Sequence, residues 1–132
     1  MKTTILMTLS AALMFALGVV LTFLPRETLT YLGGEPLEPL ILLLQVTGAL
    51  YLGFAMLNWM ARATILGGIY NRPIVLGNFL HFAAVAAALL KAVTGGERHE
   101  AVLAAALVYT VLAAWFGFVL FNHPRPVSSA PP

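Results

Sequence analysis

A chain of 132 residues has the length of one domain, and 61% of it is hydrophobic while only 9% is charged, against roughly a quarter charged in an ordinary soluble domain. The small, dispersed net charge of +2 excludes the basic stripe of a nucleic-acid binder, and the absence of cysteine excludes disulfides, thiolate nucleophiles and thiolate metal sites. So short a chain cannot hide this much apolar surface, so the solvent around it must be lipid.

Four apolar runs, at about 4–24, 40–61, 74–93 and 101–121, are each long enough to cross the ~30 Å hydrocarbon core, and no carboxylate interrupts any of them. They predict an all-α, integral-membrane four-helix bundle of up-down-up-down plan over residues 1–122, followed by a Pro-rich cytoplasmic tail at 123–132.

The first run follows Lys2, as a secretory signal would. It exceeds the usual ~7–15 apolar residues of a signal, and Leu24-Pro25-Arg26-Glu27 lacks a small-residue cleavage site, so an uncleaved span is expected. Its methionines, Met7 and Met14, share a stripe with Ala11 and Gly18, a pattern of adaptable packing. In size the chain resembles the small multidrug-resistance transporters, but the acid that those carry in their first helix is missing here.

Pro25, Gly33, Gly34, Pro36 and Pro39 are expected to close the first helix and form an outer loop around Tyr31 and Leu32. The second run carries Gln45, Thr47, Tyr51 and Asn58. Two faces are predicted on it, one with Gln45, Gly48, Ala49, Leu52, Met56 and Trp59, the other with Thr47, Tyr51 and Asn58, so neighbours should enclose it on more than one side. Met56 and Met60 stand one turn apart, a spacing that thioether ligation of copper(I) could use, but packing explains it without a metal. The inner segment from Arg62 to Pro73, around Gly67 and Gly68, is apolar enough to lie on the bilayer or turn back into it, with Arg62 and Arg72 at the headgroups.

The third run holds Asn78 and His81. Steps of 100° predict a small-polar stripe of Gly77, Asn78, His81, Ala84 and Ala88 toward the bundle, and Leu76, Phe79, Leu80 and Leu90 toward lipid. The fourth run adds Tyr109, Thr110 and Trp115. After Phe121 the proline-rich tail from His123 onward is expected to be disordered.

With the N-terminus inside, Lys2, Arg62, Arg72 and Arg125 face the cytoplasm, and Arg26, Lys91 and Arg98 lie outside with all five acids, Glu27, Glu35, Glu38, Glu97 and Glu100. The inner side is then purely basic, which sets both termini in the cytoplasm.

Polar side chains inside a span are expensive and are the natural functional candidates. Depth counting puts Asn58 level with Asn78, a structural polar seam, and Tyr51 within reach of His81, with Asn78 or Gln45 behind. Bonds of this kind contribute on the order of 0.6 to 2 kcal/mol each, enough to fix register without implying chemistry. The sharper reading makes Tyr51, His81, Gln45 and Asn78 a ligand-binding set. His81 is expected to be neutral, donating from one ring nitrogen and accepting at the other, with Tyr51 as partner. Haem is disfavoured because no second histidine lies within a span, although two copies of His81 could meet across a dimer axis. No cofactor and no metal is expected.

The stretch from Gln45 to Lys91, with Gly-Ala-Leu-Tyr-Leu-Gly-Phe-Ala-Met-Leu-Asn-Trp-Met-Ala-Arg, then Gly-Gly-Ile-Tyr-Asn-Arg-Pro and Gly-Asn-Phe-Leu-His-Phe, resembles small bacterial four-helix membrane proteins of unassigned function. More remotely, its plan is similar to DoxX-like proteins and to the ergosterol-biosynthesis membrane scaffold, which has a comparable His-Phe pair in its third helix. The resemblance covers about a third of the chain, implies a scaffolding or lipid-associated role, and carries over no catalytic residue.

With no Ser-His-Asp set at membrane depth, no HExxH and no phosphate-cradling glycine loop, a non-enzymatic scaffolding or accessory role through helix packing is expected. The alternative is a binder or carrier of a small quinone, isoprenoid or sterol-like lipophile in a pocket between the second and third helices. The expected partners are membrane lipids and a homo-oligomer or larger membrane complex.

Overall fold

The computed structural model describes residues 2–63 and 71–122. The centre of the inner segment, with Gly67 and Gly68, and the whole tail lie outside the described residues, and with them the predicted surface or re-entrant turn and the disordered tail. Among the described residues the protein is all-helical: α1 (Lys2–Phe23), α2 (Pro25–Tyr31), α3 (Glu38–Ala61), α4 (Arg72–Thr94) and α5 (Glu100–Phe121). Four of these, α1, α3, α4 and α5, are long and apolar enough to cross a bilayer, which makes this a multi-pass membrane protein.

Proline does not act only as a stop. Pro25, Pro39 and Pro73 each sit in the first turn of a helix, where the missing N–H would have had no intrahelical partner and the fixed φ is already helical. The expected outer loop therefore begins with a helix, α2. This helix ends at Gly33, whose φ of 79° permits the bonds Gly34 N to Leu29 O (2.9 Å) and Gly33 N to Thr30 O (3.0 Å). The same pattern recurs at Gly96 after α4 (φ 107°), where Glu97 N donates to Ala92 O and Gly96 N to Val93 O.

The long helices form two close pairs, α1 with α3 and α4 with α5, and few backbone contacts join one pair to the other. Small residues bring the first pair together. Ile41, Gly48 and Ala55 recur at seven-residue spacing along the buried face of α3, the repeat that keeps one seam on a neighbouring helix. A Cβ on Gly48 would fall 2.7 Å from Thr22 N and 2.9 Å from Gly18 O, so only glycine allows the backbones to approach this closely. Gly18 meets Gly48 while Ser10 meets Asn58, so residue numbers rise along α1 as they fall along α3. In the second pair Phe82 stacks on Phe116 (centroids 5.5 Å apart, planes 11°) and Phe79 lies over Gly117.

A few polar side chains lie within an apolar core, and large apolar side chains cover the outside. Ser10, Asn58 and Asn78 are fully or almost fully buried, whereas Phe121 is 75% exposed and Phe23, Phe118, Leu107 and Met60 also face outward. Such an apolar exterior suits a protein whose solvent is hydrocarbon.

The inward stripe of α4 is the predicted one only in part: Asn78 and His81 face the bundle and Leu76, Leu80 and Leu90 face out, as expected. Val75, Asn78, Phe82 and Ala86 are buried, and Ala84 and Ala88 face out. Phe79, expected toward lipid, packs instead against Gly117 and Phe121. The aromatic stack with α5 turns the helix, because burying Phe82 removes far more area than burying alanines.

Candidate functional site

Two layers of polar side chains cross the centre of the bundle. In the first, Asn58 on α3 and Asn78 on α4 pair reciprocally, each Nδ2 donating to the other's Oδ1 at 2.7 Å. Asn78 Nδ2 also donates to Ile74 O at 2.9 Å, and Asn58 Nδ2 reaches Ser10 Oγ on α1 at 3.1 Å. Ser10 in turn donates to Met7 O at 3.0 Å. Three helices are thereby joined with their amide groups largely satisfied, as a low-dielectric interior requires.

The second layer lies one to two turns further along. Tyr51 on α3 and Tyr109 on α5 share a hydroxyl–hydroxyl bond of 2.8 Å. His81 stands beside them inside a ring of aromatics: Tyr51 edge-on at 5.2 Å, Phe54 stacked at 5.6 Å, Phe82 edge-on at 5.2 Å and Tyr109 at 5.9 Å. Tyr51 is thus next to His81 as a ring, but its hydroxyl goes to Tyr109. The expected Tyr51–His81 hydrogen bond is absent because α5 presents a better-placed phenol. Among the described residues neither nitrogen of His81 has a hydrogen-bond partner, and Nε2 is sealed from solvent. An orphaned ring nitrogen at this depth costs about 1–3 kcal/mol.

Beside His81 is a cavity of about 250 Å³ lined by Met14 of α1, Thr47, Leu50, Tyr51 and Phe54 of α3, and His81 and Val85 of α4. It lies in the gap between the two helix pairs and is open on one side. Apart from Thr47, Tyr51 and His81, its walls are apolar, the composition of a pocket that takes a lipophilic body and orients it through few polar contacts. Thr47 Oγ1 already donates to Leu43 O at 2.8 Å, so its remaining capacity is that of an acceptor.

Of the four residues read as a ligand set, Tyr51 and His81 line this cavity. Asn78 belongs to the amide layer instead, and Gln45 faces outward with no side-chain hydrogen bond among the described residues. Ser10 carries no expected role and Tyr109 no expected partner from the sequence alone. Ser10 stands three residues after Met7 and four before Met14, on one helix face, and that spacing is the available signal for the first. No group of three or more His, Cys, Asp or Glu able to hold a metal occurs among the described residues.

The end of the bundle formed by α2 and the α4–α5 turn is tied by a separate polar set. His99 Nδ1 accepts from Ala101 N (3.3 Å) and caps α5, while its Nε2 donates to Tyr31 O (2.9 Å). Arg26 pairs with Glu38 across the α2–α3 turn. Glu97 accepts from His99 N (2.8 Å) and Arg98 N (2.9 Å), and these backbone bonds hold its carboxyl below the usual range. Compared with family models, curated proteins and solved structures, the chain matches none.

Proposed function

We propose that the protein binds or carries a small lipophile bearing one polar group, of the size and character of a quinone, isoprenoid or sterol-like molecule. The apolar body would occupy the cavity between α1, α3 and α4, with its polar group on His81. The observation that carries this reading is His81, a ring without a hydrogen-bond partner among the described residues, on the wall of a cavity whose lining is apolar apart from it, Thr47 and Tyr51; its Nε2 is sealed, so the ligand's polar group would meet Nδ1. A purely packed seam would gain stability by pairing or replacing that imidazole, whereas a ligand supplies the missing partner. The proposed arrangement in the membrane is up-down-up-down with both termini cytoplasmic, in a bacterial inner membrane.

The test is thermal unfolding of delipidated protein titrated with the lipid extract of its own membrane. A ligand that binds only the folded state raises the melting temperature as its concentration passes Kd. The rise should occur in the wild type and vanish in His81→Leu, with His81→Gln between them. Equal responses of all three forms would sink the reading.

A scaffolding role is the second reading, and the three-helix web of Ser10, Asn58 and Asn78 favours it. That web fixes register without needing a ligand, and it would leave the bundle unaffected by the extract.

A further inference from the structure

A second depression lies on the opposite side of α3. Its volume is about 590 Å³, and it is lined by Ala11, Ala12 and Phe15 of α1 with Leu52, Ala55, Met56 and Trp59 of α3. Alanine makes the trough: Ala11 and Ala55 form a buried floor, and Phe15, Met56 and Trp59 stand outward as walls. The α3 positions follow one helix face at steps of three and four, from Leu52 to Trp59, and the next step on that face is Arg62.

Arg62 brings a cation against Trp59, the last of the trough's α3 residues. Its Cζ lies 3.4 Å from the Trp59 ring centroid, and its Nη1 donates to Trp59 O at 2.7 Å. These contacts hold the guanidinium against Trp59, at the Trp59 end of the groove, and leave further N–H groups for an acceptor. No acid competes for it at this end, because all five acids lie at 27–38 and 97–100, at the other ends of the helices. A cation-headed, hydrocarbon-lined trough facing lipid complements one kind of molecule.

From this we infer that the α1–α3 trough is a binding site for an anionic phospholipid, with an acyl chain along Ala11, Ala12 and Ala55 and the phosphate on Arg62. This site is distinct from the His81 cavity and does not depend on it.

Trp59 in the trough wall is its own reporter. In protein carrying Trp115→Phe, Trp59 is the sole indole of the two in the chain. The protein is reconstituted in phosphatidylcholine vesicles doped with brominated phosphatidylglycerol or brominated phosphatidylcholine of the same chain length. Quenching of Trp59 should need about fivefold less of the anionic lipid, the factor expected for one arginine at an anionic surface. If Trp115→Phe fails to fold, the difference between wild type and Trp59→Phe carries the same signal. Arg62→Gln should bring the two lipids level, and Ala12→Phe, a substitution at an outward position that fills the trough, should weaken quenching by both. Lys91→Gln, at the other end of the bundle, should change nothing. A preference that survives Arg62→Gln overturns the inference. So does a trough occupied by a second copy of the chain, revealed as a dimer that Ala12→Phe dissociates without any lipid preference in the wild type.

Discussion

Replacing Asn58 with leucine removes both bonds of the reciprocal amide pair and the bond to Ser10, and strands the Oδ1 of Asn78 in the core. Asn78 keeps only its donation to Ile74 O, and Ser10 keeps its donation to Met7 O. Interhelical bonds in membranes average ~0.6 kcal/mol and reach ~1.7 kcal/mol. A stranded polar group adds ~1–3 kcal/mol. Asn58→Leu should therefore cost about 2–4 kcal/mol, and Asn78→Leu somewhat less because it leaves the Asn58–Ser10 contact in place. The double replacement strands neither amide, so its cost should fall short of the sum by about 1–2 kcal/mol. Equilibrium unfolding in mixed detergent micelles, for the four proteins of the cycle, measures this shortfall. Additivity to within ~0.5 kcal/mol would refute the coupling and with it the claim that these amides form one unit.

Gly48→Ala should destabilise by about 1–3 kcal/mol, since its Cβ would press on the backbone of Thr22 and Gly18, while Gly53→Ala, where nothing lies within 4 Å, should not destabilise; thermal melts compare the two. For the proposed topology, reporter fusions after Gly67 and Ser128 should read cytoplasmic and those after Gly34 and Gly96 external, and a cytoplasmic signal at Gly34 would contradict it. Glu97 should titrate below the ordinary glutamate value in a carboxyl-carbon NMR experiment. Because its pKa is depressed in the folded state, the tie it makes to Arg98 and His99 is present above the unfolded value and lost as pH falls through the folded one. Glu97→Gln should abolish that pH dependence.

Run length and the absence of acids made the four spans legible, because a bilayer sets both requirements and neither depends on how the helices pack. Counting residues along the helices likewise put Asn58 and Asn78 at one depth. Depth says nothing of azimuth, however, and that is where the reading failed. Tyr51 bonds Tyr109 rather than His81 because α5 closes over it, a contact between residues 58 positions apart. On α4 the polar members of the expected small-polar stripe, Asn78 and His81, do face the bundle, but Phe82 stacks on Phe116 and Ala84 and Ala88 lie outside. The cavity itself had no local signature. It arises because Gly18 and Gly48 draw α1 against α3 while α4 pairs with α5, leaving a gap between the pairs at the level of His81.

The gap between the helix pairs is proposed to hold a ligand through His81. Native mass spectrometry of gently extracted protein tests it most directly: wild type should carry one small lipophile per chain that is missing from His81→Leu of equal helix content. Wild type and variant flying at their bare chain masses, or retaining the same adduct, would contradict it.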